Sequence, residues 1–338
     1  MSGILVLVEL AGGAPDRLSA EALGFAGTVA KASGVAFDAV VVVGGNDAGA
    51  AESAAAGLGG YGVGTVQLAT SDRLSSFAPA AWAAAVTGVV GSGSYDAVIA
   101  PGSDTATEVL AHVAARTGQP MAANVVSAEP RQPDGSGPWR ITRQRWAGSL
   151  LEEATLDGQP RLLTVAPHVV PAAEPAAGAA PATVARVVAD VTDADLRARV
   201  VGRDVASGDR ISLSDAKVVV GGGRGMGSSE AFAMLDELAG LLGAAVGVSR
   251  VATSLGWRPH TQQIGQTGTR IAPDLYIACG ISGAIQHIVG AKSAKRILVI
   301  NTDPEAPIFR RATYAVIGDV HAVVPAITAE VRRVKGAG

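Results

Sequence analysis

Five short apolar runs between residues 217 and 319 constrain this chain more than anything else in it. They read KVVV (217–220), AAVGVS (244–249), DLYIACG (274–280), RILVIN (296–301) and YAVIGD (314–319). Runs this short and this apolar predict strands of a parallel sheet buried on both faces. Between the first two lies SSEAFAMLDELAGLLG, where Phe232, Leu235, Leu238, Ala239 and Leu242 share one helical face and Gly243 stops the helix. Each strand exits into polar groups: Arg224; Ser249 and Arg250; Ser282, Gln286 and His287; Asn301; Asp319. Open parallel sheets hold ligands at the carboxyl ends of their strands. Two arginines, a histidine and several glycines converging there predict one extended, phosphate-bearing ligand.

The glycine-rich stretch VVVGGGRGMGSS (218–229) fits neither common nucleotide fingerprint. In the GxGxxG registers starting at Gly221 and Gly223, the sixth position is Met226 or Ser228, and no Gly-Lys-Ser/Thr follows. Backbone N–H groups ahead of a helix beginning Ser228, Ser229, Glu230 favour an anion, and Arg224 adds a bidentate donor. On the loop alone, a tight structural turn and an anion site stand nearly level.

The first half repeats the α/β alternation. ILVLVEL precedes a helix over about 19–32, AFDAVVVVGG reads as a buried strand, and YDAVIAPGS leads to a helix over about 105–117. The expected fold is an N-terminal parallel-sheet, nucleotide-binding-like α/β domain (1–175) and a C-terminal doubly wound parallel-sheet domain (215–338). Residues 176–214 are expected to be linker and connecting strands. PAAEPAAGAAPA (171–182) reads as linker or surface excursion, and TVARVVADV as a further strand.

Composition excludes several classes. With 48% hydrophobic and 17% charged residues and a net charge of −3, the chain is ordinary globular protein with no basic footprint for nucleic acid. One cysteine, Cys279, excludes a disulfide framework and is expected to be a buried apolar residue. No metal site is expected; Asp303 and Glu305 read as a capped turn held by Pro304 and Pro307. The absence of a signal peptide or an apolar run of spanning length gives a cytoplasmic, non-membrane expectation.

GGRG, GVSR (247–250), QIGQTG (263–268), ACGISGAIQH (278–287) and INTDPEAPIF (300–309), in that order, resemble the FAD-binding domain of the electron transfer flavoprotein alpha subunit. The likeness is close over about 215–330 and looser over 1–170. It implies the FAD-carrying subunit of a heterodimer with a beta subunit, with one FAD per heterodimer and AMP in the beta subunit. Such a carrier has no substrate of its own. It takes electrons from flavin dehydrogenases, typically the acyl-CoA dehydrogenases of fatty acid oxidation, and passes them to a membrane quinone oxidoreductase. The resemblance places Arg250 against the isoalloxazine, His287 near the flavin C2 carbonyl as a protonated or donating imidazole, and Thr267 near N5 beside Gln266. Ser249, Ser282 and Arg224 fall around the ribityl and pyrophosphate, and Asn301 and Asp319 at the adenosine end. Gly283 and Ala284 offer backbone N–H groups, and Gln263, Gly268 and Gln286 complete the expected set.

Alternatives remain open at this stage. An electron-bifurcating form, using NADH and a second FAD in its beta subunit, would share this alpha chain. A nicotinamide-dependent dehydrogenase is disfavoured by the failed GxGxxG, and a bare adenine-nucleotide module by the presence of Arg250, Thr267 and His287. The chain departs from the family at Thr269–Arg270, where a lysine is usual, at Ser254, Ala166 and His168, and at His321.

Overall fold

The computed structural model describes residues 3–44, 47–93, 95–130, 137–202, 211–214 and 216–336. The chain divides into two compact units, Met1–Asp204 and Val205–Gly338.

The first unit is built from β1 (Gly3–Leu7), a small antiparallel pair β2 (Leu10–Ala11) and β3 (Ala14–Pro15), and α1 (Arg17–Ser33). Next come β4 (Phe37–Gly44), α2 (Ala48–Gly57), β5 (Thr65–Ser71), α3 (Pro79–Ser92), β6 (Tyr95–Ala100) and α4 (Asp104–Thr117). Strands β7 (Met121–Pro130), β8 (Trp139–Arg145), β9 (Leu150–Leu156), β10 (Arg161–Val165) and β11 (Thr183–Val188) complete it. Nine strands form one sheet in the order β11-β5-β4-β1-β6-β10-β7-β8-β9. Alternate side chains of β1 feed opposite faces. Ile4 and Val6 pack with α1, whereas Leu5 and Leu7 pack with α3 and α4. The helices are punctuated as their sequences dictate. Asp16 caps α1 by accepting the Ser19 N–H at 2.7 Å, and Gly34 closes it in the left-handed conformation.

Two expectations change here. The first sheet is not wholly parallel: β8 runs antiparallel to both β7 and β9, while β7 pairs in parallel with β10. The three-residue turn Trp146–Gly148 joins β8 to β9, and a connection that short serves only antiparallel strands. The proline- and alanine-rich stretch is an ordered strap on the first unit rather than a free linker. Its backbone N–H groups at Ala173, Ala176 and Ala182 donate to the Ala20, Gly60 and Ala56 carbonyls. It then enters β11, which pairs in parallel with β5. Residues 203–210 of the expected connecting segment lie outside the described residues.

The second unit holds β12 (Val218–Gly222), α5 (Ala233–Leu242), β13 (Ala245–Val248), α6 (Arg250–Ser254), β14 (Leu275–Cys279) and α7 (Ile285–Ala291). It ends with β15 (Ile297–Asn301), β16 (Tyr314–Ile317) and α8 (Val320–Gly336). All five strands are parallel, in the order β13-β12-β14-β15-β16. Period-two alternation again supplies two cores. Val219, Tyr276, Ala278 and Val299 face the side that carries Ala291 of α7; Val220, Ile277, Cys279 and Ile300 pack with α5 and α8. The helix expected from Ser228 begins only at Ala233. Ahead of it the chain makes tighter turns over Arg224–Met226 and Glu230–Phe232.

Candidate functional site

The chain leaves β12 towards β13 on one side and later returns to β14 on the other. The carboxyl ends of these strands therefore diverge into a crevice at the topological switch point. A cavity of about 600 Å³ opens there. Of the expected residues, Arg224, Ser249, Arg250, Gln263, Gln266, Thr267, Ser282, Gly283, Ala284, Gln286, His287 and Asn301 line it. They arrive from loops after four strands, which is how residues up to 77 positions apart come to share one surface.

Glycine makes the floor of this crevice possible. A Cβ on Gly225 would stand 2.6 Å from the Gly280 Cα, so only glycine lets the loop after β12 lie against the loop after β14. The Gly225 N–H donates to the Gly280 carbonyl at 2.9 Å and locks the two loops together.

Several polar groups at the cavity have no partner among the described residues. Arg224 and Arg250 are exposed at the rim and pair with no acid among the described residues. The Ser249 hydroxyl is buried and has no hydrogen-bond partner among the described residues. Buried polar atoms are nearly always satisfied, so an orphan at a cavity wall marks a place for a ligand atom. Gln263, itself buried, bridges two hydroxyls: its Oε1 lies 2.8 Å from the Thr253 hydroxyl and its Nε2 donates to Thr267 Oγ1 at 3.1 Å. With its oxygen accepting from Gln263, Thr267 has its own proton free to donate.

His287 sits on α7 with Nε2 2.8 Å from the Tyr276 hydroxyl. Burial pushes its pKa down to about 4, against an opposing pull from the Ile264 backbone carbonyl. Burial thus favours the neutral imidazole over the cationic form. Its Nδ1 is buried and makes no hydrogen bond of normal geometry.

Two expected residues stand elsewhere. Asp319 caps α8, its Oδ1 accepting the His321 N–H at 2.9 Å, and is not among the residues lining the cavity. Gly268 closes the turn behind Thr267, donating to the Gly265 carbonyl at 3.2 Å, and does not reach the cavity surface. The cavity also takes in residues that sequence reasoning passed over. Val251, Leu255 and Ile281 give it apolar wall, and Asp303 joins Asn301 after β15. The pattern after β13 held the signal for the first two, since Val251 and Leu255 lie one helical turn apart. Asp303 also does what was expected of it, accepting the Glu305 N–H at 2.9 Å in a capped turn.

A family model described as the electron transfer flavoprotein FAD-binding domain matches residues 212–292, and one described as the electron transfer flavoprotein domain matches residues 4–192. The electron transfer flavoprotein subunit alpha of Paracoccus denitrificans is 37% identical over 96% of this chain and 98% of its own length. The subunit alpha of Mycobacterium tuberculosis (strain ATCC 25618 / H37Rv) is 38% identical over 99% of this chain and all of its own. Protein FixB of Clostridium saccharobutylicum is 32% identical over 98% of this chain. The chain belongs to the electron transfer flavoprotein alpha-subunit family. Its second unit carries the family's FAD-binding domain, so the cavity at the β12/β14 switch point lies within a flavin-binding module. The likeness also runs through the first half, beyond the 215–330 stretch in which the motifs are concentrated.

The unpaired arginines, the orphaned Ser249 hydroxyl and the glycine-built floor fit an anionic dinucleotide. The volume falls within the roughly 300–1,000 Å³ of small-molecule sites. Among the described residues, no helix is long and apolar enough to cross a membrane.

Proposed function

We propose that this chain is the FAD-carrying alpha subunit of a heterodimeric electron transfer flavoprotein, a carrier that moves electrons between other flavoproteins and acts on no substrate of its own. The observation that carries the reading is the convergence of Arg224, Ser249, Arg250, Thr267 and His287 on one cavity at the switch point of the second sheet. Bound FAD supplies the redox chemistry, accepting electrons and releasing them to the next carrier.

The chain's own residues bind it and set its surroundings. Arg224 neutralises pyrophosphate charge, with the Ser249 and Ser282 hydroxyls as further polar contacts. Arg250 presents a cation to the isoalloxazine, which favours the reduced, more negative flavin and raises its potential. Thr267 donates its hydroxyl proton towards N5, and His287 offers a neutral donor where charge gathers at the C2 carbonyl. Asn301 lies towards the adenosine end. The beta subunit is the partner, holding AMP; flavin dehydrogenases such as acyl-CoA dehydrogenases are the electron donors, and a membrane quinone oxidoreductase is the acceptor.

Co-expression with the beta subunit tests this reading. The expected product is a yellow heterodimer with one FAD and one AMP, reduced by a flavin dehydrogenase. A colourless complex overturns it. Two FAD per heterodimer with reduction by NADH replaces it with the bifurcating form.

A further inference from the structure

Tyr276 is the largest polar side chain buried in the second unit, and it is not among the residues lining the cavity. It stands on β14 directly opposite Val219 of β12. Its ring does not stack on Val219 but leans two residues along the strand towards the carboxyl end of the sheet. That path exists because position 221 is glycine: a Cβ there would lie 2.4 Å from the Tyr276 hydroxyl and 2.6 Å from the ring. A side chain at position 221 would close it. At the end of the path the hydroxyl meets His287 Nε2 at 2.8 Å, with the two rings tilted 34° to each other.

Counting protons fixes the direction of this bond. The phenol is fully buried, and His287 is its one hydrogen-bond partner among the described residues. If the imidazole donated from Nε2, the phenolic proton would be left buried without an acceptor, at a cost of about 1–3 kcal/mol. If the phenol donates, that proton is satisfied, Nε2 is the acceptor nitrogen and the neutral ring carries its hydrogen on Nδ1. One buried group is then unpaired among the described residues, against two, the phenolic proton and the Nδ1 lone pair, in the other tautomer. We infer that Tyr276 is a positioning residue: its hydroxyl donates to His287 Nε2, holds the imidazole neutral with its proton on Nδ1, and so keeps a cation out of the cavity wall. Gly221 is part of the same device, because it makes room for the ring that reaches His287.

The tautomer stands on the geometry alone; its bearing on the flavin rests on the cofactor reading above. The full chain with 15N-labelled histidine decides the first. Only five histidines need resolving, and loss of one set of signals in His287→Asn assigns this one. The expected spectrum shows His287 Nδ1 protonated and Nε2 unprotonated. A protonated Nε2 in the wild-type chain overturns the inference, with no variant required. In Tyr276→Phe, Nε2 is expected to become protonated in part or in full, with the other four histidines unmoved. Signals of His287 identical to wild type overturn it. The second arm uses the complex with the beta subunit. Tyr276→Phe is expected to keep its FAD and to shift the flavin midpoint potential, and an unchanged potential with a changed tautomer refutes the positioning role. A wild-type complex without FAD refutes the cofactor reading instead, while the nitrogen spectrum still decides the tautomer.

Discussion

The two units use the same architecture at their switch points and do opposite things with it. In the second unit, the carboxyl ends of β12 and β14 open into a cavity where Arg224, Arg250 and the Ser249 hydroxyl have no partner among the described residues. In the first, the corresponding ends of β1 and β6 are filled by the chain itself. The Glu9 carboxylate accepts from Ser103, the residue that caps α4, and the Glu9 N–H donates to Ser19 Oγ at 2.9 Å. Close by in sequence and on α1, Glu21 accepts the His168 N–H at 2.7 Å and lies 3.5 Å from Arg17. Where the second unit leaves two arginines and a serine without partners among the described residues, the first pairs the carboxylates of Glu9 and Glu21 with its own serine, backbone and arginine groups. Topology supplies the crevice in both; internal hydrogen bonding decides whether a ligand is wanted.

The largest break in that contrast should come from glycine. Gly225→Ala places a methyl group 2.6 Å from the Gly280 backbone, and the loops that floor the cavity must part. We expect a complex purified without FAD, with the second unit destabilised by about 1–3 kcal/mol. Gly12→Ala, between β2 and β3 in the first unit, meets nothing within 4 Å and suffers only from its φ of +60°. It should cost about 1–2 kcal/mol and leave FAD content untouched. Equal FAD loss in the two variants would show that the floor is not what holds the cofactor.

Next in size are the arginines. Arg224→Ala should weaken FAD binding roughly tenfold to a hundredfold, the value of one or more charge-assisted hydrogen bonds. Arg250→Ala should lower the flavin midpoint potential. Arg17→Ala, whose guanidinium already faces Glu21 in the first unit, should change neither quantity. Titration of FAD into the apo complex and a spectroelectrochemical potential read the two effects separately. An unchanged or raised potential in Arg250→Ala refutes the role given to it.

Much of this contrast was legible in the sequence, but unevenly. The five strands of the second unit and the polar residues at their ends could be located because short apolar runs bounded by glycine leave few other readings. Asp319 shows one limit of that reading: an aspartate after a strand serves equally as a ligand contact or as the cap of the next helix, and the sequence does not separate the two. The Tyr276–His287 pair was invisible, since the tyrosine reads as one more apolar strand residue and the path over Gly221 depends on strand register. In the first unit, the polar residues of WRITRQR and LLEEATL hid an antiparallel extension, and the alanine-rich strap lacked any period that could mark it as packed. Pairing between distant backbone groups leaves no local trace.

With acidity the two units should separate by sign. Burial, opposed by the Ser103 hydrogen bond and reinforced by Asp16, pushes the Glu9 carboxyl from 4.5 up to about 7. Between those values the folded first unit keeps a proton that the unfolded chain has lost, so its stability falls as pH rises through the window, by at most about 3 kcal/mol. Burial takes His287 the other way, from 6.5 down to about 4. There the unfolded chain gains the proton first, so the second unit holds its full stability above pH 6.5 and loses it as pH falls towards 4. Hydrogen exchange across pH 4.5–8 on the full chain reads each unit by its own peptides. Glu9→Gln should flatten the first unit's dependence and leave it more stable than wild type at pH 8. His287→Asn should flatten the acid side of the second unit and leave the first unchanged. If Glu9→Gln instead lowers stability at pH 8, the carboxylate is a favourable partner for Ser103 even when ionised. The crevice of the first unit would then be held shut by charge rather than in spite of it.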